Sequence, residues 1–171
     1  MKNFFFVIII ISLCYSESSI ALDFPITISG NVQASPCDIN NGEKVVVDFG
    51  NLYTEENQDF LAKTVNLNFS CTSYTGTPYI KITGSSSYEN ILKTNIDKFG
   101  IALYQGKGTS VPLKIGGGDA KGGRNVGYRI TNGLSGHAFI FTAKPVWYSE
   151  YTDEPASGSF IASATVSIVY I

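Results

Sequence analysis

Two stretches alternate apolar and polar residues strictly, one near each end of the chain. In residues 23–32, Phe24, Ile26, Ile28, Gly30 and Val32 share one parity, and Asp23, Pro25, Thr27, Ser29 and Asn31 share the other. In residues 160–170, Phe160, Ala162, Ala164, Val166, Ile168 and Tyr170 fall together, opposite Ile161, Ser163, Thr165, Ser167 and Val169. A strand turns successive side chains to opposite faces, so each stretch predicts a strand with one apolar face. The first departs from an ordinary strand in two ways. Pro25 has no N–H to give a ladder, which suits an edge or an unpaired arm. Gly30 sits in the apolar series, where it weakens a strand unless something must approach closely.

Between these stretches the pattern predicts further short strands. Residues 44–49 (Lys-Val-Val-Val-Asp-Phe) follow the turn signal Asn40-Asn41-Gly42. Val65, Leu67 and Phe69 alternate with Asn66, Asn68 and Ser70 up to Cys71. Residues 79–83, 99–104, 111–115, 126–130 and 138–147 complete the strand candidates. Residues 116–123 hold five glycines and predict a mobile loop. Only residues 54–60 suggest a helical turn, and the chain shows neither heptads nor an internal repeat. Many short strands joined by glycine-rich turns predict an all-β sandwich. Trp147 follows both later cysteines, so the wiring differs from an antibody-type domain, where a tryptophan lies between them.

The amino-terminal end changes the picture of where the domain starts. Lys2, the apolar run from Phe4 to Leu13, and Ser19-Ile20-Ala21 together read as a secretory signal over residues 1–21. The run is too short to span a bilayer comfortably. Cys14 would leave with the signal. Leu13 before it departs from the small residue that lipid-attachment sites favour. Cleavage after Ala21 leaves 150 residues (171 − 21), enough for one domain. The mature balance is 11 basic against 13 acidic residues, because Lys2 and Glu17 go with the signal. That balance gives no basic field for nucleic acid. No later stretch is long and apolar enough for a membrane helix. The expected product is soluble and exported.

Cys37 and Cys71 remain, with 33 residues between them (71 − 37 − 1). In an oxidising compartment the default is one disulfide. Closing a loop of about 35 residues stabilises by roughly 3–4 kcal/mol on the chain-entropy account. A zinc site lacks ligands, since His137 is the only histidine.

Catalytic chemistry has little to stand on. His137 has no nucleophile beside it, and a lone histidine at a strand start is usually structural. The glycines of residues 116–123 lack the Gly-Lys-Ser/Thr ending and the strand–loop–helix setting of a phosphate cradle, as does Gly106-Lys107-Gly108-Thr109. Both read as turns. Asn68-Phe69-Ser70 matches a glycosylation acceptor but falls inside a predicted strand. The 10 tyrosines and exposed glycines are compatible with a sugar-binding surface, which nothing in the pattern requires.

These features together resemble the pilins of the chaperone–usher pathway. A signal peptide is followed by an alternating arm with a glycine in its apolar series, then by the pair Cys37/Cys71. Gly158 stands fourteenth from the end and Tyr170 is penultimate. Within that family, residues 36–42, 45–51 and 99–108 are most similar to minor adaptor subunits, which join a tip adhesin to the tip fibrillum. The region from Gly116 to Tyr151 matches less well.

The resemblance implies a fold: an all-β, incomplete immunoglobulin-like β-sandwich lacking its final strand and completed by donor-strand complementation. It implies a signal peptide at 1–21, an N-terminal extension at 22–35 and a pilin domain at 36–171. Phe24, Ile26, Ile28, Gly30 and Val32 would be the donor series. Gly158, Phe160, Ala162, Ala164, Val166, Ile168, Tyr170 and Ile171 would form the groove edge that binds the chaperone. The Ile171 carboxylate would meet basic residues of the chaperone cleft, a charge-assisted contact. The implied partners are a periplasmic chaperone, an outer-membrane usher, a tip adhesin and the next fibrillum pilin. The implied location is the periplasm, then the pilus at the cell surface. No enzyme activity, cofactor, metal, nucleic acid or small-molecule substrate is implied. Another minor or rod pilin is the alternative. A carbohydrate-binding tip adhesin fits less well, because 150 residues leave no room for a separate lectin domain.

Overall fold

The computed structural model describes residues 29, 35–53, 60–121, 124–148 and 157–171. The chain divides into two units, Met1–Val32 and Gln33–Ile171. All described residues except Ser29 belong to the second. The signal at 1–21 and the donor series Phe24, Ile26, Ile28, Gly30 and Val32 lie outside the described residues. So does the helical turn at 54–60, apart from Phe60.

Eleven strands are described: β1 (Asp38–Ile39), β2 (Lys63–Ser70), β3 (Pro78–Gly84), β4 (Ser86–Tyr88), β5 (Ile91–Lys93), β6 (Phe99–Gln105), β7 (Asp119–Lys121), β8 (Arg124–Arg129), β9 (Leu134–Ser135), β10 (Ala138–Trp147) and β11 (Ala164–Tyr170). One sheet runs β1-β2-β10-β6-β5-β4, with β9 also on β10; the other runs β11-β3-β8-β7. The pairings between these strands are antiparallel.

β10 is the spine of the first sheet. It pairs with β2 from Ala138↔Asn68 to Ala143↔Lys63, and with β6 from Phe141↔Gln105 to Trp147↔Phe99. Pro145 is accommodated because it lies two residues past the β2 ladder, where β6 alone among the described strands flanks β10. The core forms between the sheets. Leu67, Phe69, Ile101, Leu103 and Phe139 come from the first sheet; Ile80, Ile82 and Ile168 come from the second. Fully burying each such side chain contributes about 1.5–3 kcal/mol.

Three strand expectations are corrected. Residues 44–49 form no strand. Val47 and Phe49 do pack on the core, which explains their alternation, but no described strand lies alongside them to form a ladder. Residues 111–115 form no extended strand: they make a single antiparallel bridge to β6, Tyr104↔Pro112, where the Gln105 N–H donates to Val111 O at 2.7 Å, and then cross toward the other sheet. The Leu113 N–H donates to Leu103 O at 2.9 Å on one side, and the Gly116 N–H donates to Ile82 O at 2.8 Å on the other. Leu113 and Ile115 are buried on the way, so the crossing carries a strand-like pattern. Residues 160–163 precede the first β11 pair, Ala164↔Gly84, and form no ladder. The loop foreseen at 116–123 is also partly ordered, because Asp119–Lys121 forms β7 against β8. All three β7 residues are exposed, so no apolar face betrayed the strand.

Candidate functional site: the outer edge of β11

In a strand the backbone hydrogen-bonding groups of successive residues point to alternate edges. On β11 the Ile171 N–H donates to Thr77 O at 3.0 Å, and Ile171 O accepts from the Thr77 N–H at 2.7 Å. Odd-numbered residues therefore turn their backbone groups toward β3. Even-numbered residues turn theirs to the outer edge. Among the described residues, no strand pairs with that outer edge. Its one described partner is the chain at Cys37, whose N–H donates to Ile168 O at 2.8 Å.

The even-numbered side chains also point inward. Ile168 is fully buried, and Phe160, Ala162, Val166 and Tyr170 are half-buried against the core. Ile161, of the other parity, is 70% exposed. Ala164 shares the inward parity but is exposed. Val47 and Phe49 pack on the same core. Phe49 and Phe160 approach to 6.3 Å between ring centroids. Cys37 against Ile168 and Phe49 against Phe160 thus mark two ends of one apolar strip.

The Cys37 end is fixed covalently. The Cys37–Cys71 disulfide forms as the cysteine arithmetic predicted, with the Cα atoms 4.2 Å apart. It joins the start of β1 to the end of β2. Tyr74 packs beside it: its hydroxyl accepts from the Cys71 N–H at 3.0 Å. The Tyr74 ring stands edge-on to Tyr170 at 5.6 Å and to His137 at 4.7 Å. The His137 ring thus packs edge-on against Tyr74. Burial is the main influence on the Tyr170 hydroxyl and raises its pKa, with Tyr74 adding to the effect. Gly76 lies against Ile171. A Cβ there would meet the Ile171 carbonyl at 2.6 Å, and its φ of +100° favours glycine.

The Phe160 end is aromatic. Phe160 packs on Phe99, which also touches Phe60 and Trp147 with centroids at 5.9 and 4.6 Å. Gly158 precedes it with φ +151°, outside the range that other residues favour. It is exposed and touches nothing a Cβ would strike. Its role is to turn the backbone rather than to make room.

The structure thus brings Phe160, Ala162, Val166, Ile168 and Tyr170 onto one inward face. The pattern reading missed three polar residues whose contacts join distant segments. Tyr74 and Asn95 carry no periodic signal. Gln105 reads as the start of the loop after residues 99–104, yet it ends β6 and is buried. Its Oε1 accepts from the Thr131 and Asn132 N–H groups at 2.9 and 3.2 Å.

Residues 26–170 match the family described as fimbrial protein. The chain belongs to the fimbrial protein family. It is 40% identical over 164 residues to the minor fimbrial protein PrsF of Escherichia coli, covering 94% of this chain and 95% of PrsF. It is 38% identical over 166 residues to the fimbrial adapter PapF of Escherichia coli, with the same coverage. Among solved structures, the P pilus adaptor subunit PapF matches with TM-score 0.52 and 34% identity, over 82% of this fimbrial protein and 100% of that chain. The P pilus rod subunit PapA matches with TM-score 0.57, over 86% and 100%. At 20% identity that second likeness concerns the fold alone. The fold is the all-β, immunoglobulin-like sandwich of these pilin subunits.

Proposed function

We propose that this fimbrial protein is a structural minor pilin that serves as an adaptor within a surface fimbrium. The reading is supported by identity of 38–40% to a minor fimbrial protein and a fimbrial adapter along nearly the whole chain. The observation that carries the mechanism is the outer edge of β11, which sits beside an apolar strip with no described strand on it. An open edge of this kind is a template for a further strand, and a hazard if left bare. Strand addition meets both needs, and chaperone–pilin complexes are themselves known examples of it. A periplasmic chaperone fills the edge first, and the next subunit's extension replaces the chaperone strand at the outer-membrane usher. This chain's own extension, through Phe24, Ile26, Ile28, Gly30 and Val32, completes the pilin domain of a tip adhesin. No step requires catalysis.

The test is Gly30→Trp in the full chain, expressed with its chaperone, usher and companion subunits. The variant should still co-purify with the chaperone and should be missing from assembled pili. Normal incorporation would overturn the donor role of residues 23–32.

A further inference from the structure

Asn95 lies in the turn between β5 and β6. That turn is internally braced. The Thr94 hydroxyl donates to Phe99 O at 2.8 Å, and its oxygen accepts from the Ile96 N–H at 3.1 Å. From this base the Asn95 carboxamide reaches the opposite sheet's last segment. Its Nδ2 donates to Ser159 O at 2.9 Å, and its Oδ1 accepts from the Ile161 N–H at 2.8 Å. Bonding a carbonyl at one residue and an N–H two residues on is what a neighbouring strand does across a parallel ladder. One side chain here performs the work of a single strand residue's N–H and C=O, centred on Phe160.

The edge it occupies matters. Ser159 and Ile161 are odd-numbered, so they share the parity of Ile171, whose backbone groups face β3. β3 stops at Gly84, paired with Ala164. Asn95 therefore takes over on the β3 side where β3 has ended. By the same alternation, the backbone groups of Phe160 and Ala162 turn to the opposite edge, the one on which those of Val166 and Ile168 lie.

We propose that Asn95 is a positioning residue for strand uptake. By standing in for β3, it holds residues 159–161 straight and lengthens the accepting edge, adding Phe160 and Ala162 as pairing positions. This rests on the reading of β11 as an accepting edge. Asn95 does not touch the incoming strand; it acts through Ser159 and Ile161.

The test is residue-resolved amide exchange on the full chain in its purified complex with the periplasmic chaperone. In the wild-type complex the amides of Phe160 and Ala162 should be protected together with those of Val166 and Ile168. In Asn95→Ala, protection at Phe160 and Ala162 should fall at least tenfold while Val166 and Ile168 keep theirs. Asn95→Asp supplies a second variant if alanine impairs folding. It keeps an acceptor for the Ile161 N–H but sets a carboxylate against the Ser159 carbonyl, and the same selective loss is expected. Unchanged protection at Phe160 and Ala162 would overturn the proposal. An equal loss along all of β11 would also overturn it, since Asn95 would then be a general brace. A wild-type complex in which Val166 and Ile168 are themselves unprotected would instead sink the accepting-edge reading.

Discussion

Phe160 meets Phe99 edge-on, with ring centroids 4.9 Å apart and planes inclined at 76°. That contact ties the segment before β11 to the first strand position of β6, across the two sheets. Replacing Phe160 with alanine removes it and the weaker contact with Phe49. Because Phe160 is half-buried, the expected loss is about 2–3 kcal/mol, below that of a fully buried phenylalanine. Thermal melting of the chaperone-bound chain checks it. A melting temperature equal to wild type would show that the ring contributes nothing to the strip.

The disulfide fixes the other end. Cys37→Ala with Cys71→Ala should cost about 3–4 kcal/mol, the loop-closure value for this spacing. Denaturant unfolding of the oxidised wild type against the double variant measures it. Adding reductant to the wild type should reproduce the variant's curve.

Gln105 tests the polar side of the core. Gln105→Leu keeps the bulk but leaves the Thr131 and Asn132 N–H groups without their acceptor. The expected cost is about 1–3 kcal/mol from the stranded donors. A neutral result in urea unfolding would mean that the turn relaxes to reach water.

Tyr170 predicts a pH dependence. Burial disfavours its phenolate, so its pKa in the folded chain stands above the ordinary 10.0. The group's contribution is fully present below the unfolded value and is lost as pH rises through the folded one. An absorbance titration should show a late phenolate component that Tyr170→Phe removes. If the variant's titration still contains that component, the late group is another tyrosine.

Some of this was legible in the residues themselves. β10 occupies the predicted 138–147, and β2 keeps Leu67 and Phe69 inward with Asn66 and Asn68 outward, because each has one apolar face and partners on both sides. The inward series from Phe160 to Tyr170 was equally readable, apart from Ala164. What failed was the inference from alternation to ladder. Residues 47, 49, 113 and 115 bury alternate side chains as a strand does, yet 47 and 49 join no described ladder and the segment at 113 makes only a single bridge to β6, because pairing depends on a neighbour that local pattern cannot supply. β7 failed in the opposite direction, pairing through its backbone with no buried side to announce it. Asn95 and Gln105 were hidden for another reason. Their bonds join residues 64, 66, 26 and 27 positions apart, and no periodicity records such a match.

The exposed side of β11 has a consequence for assembly symmetry. An edge that is filled by a dissimilar segment from another molecule makes a joint with two unlike halves. Such a joint is heterologous, so it has no two-fold axis on which to close. On the proposed reading, each subunit that receives a strand still has its own to give, and the product grows as a line with direction. One terminus can carry a component found nowhere else, so a fibre of this kind has a tip and a base because its joints are asymmetric.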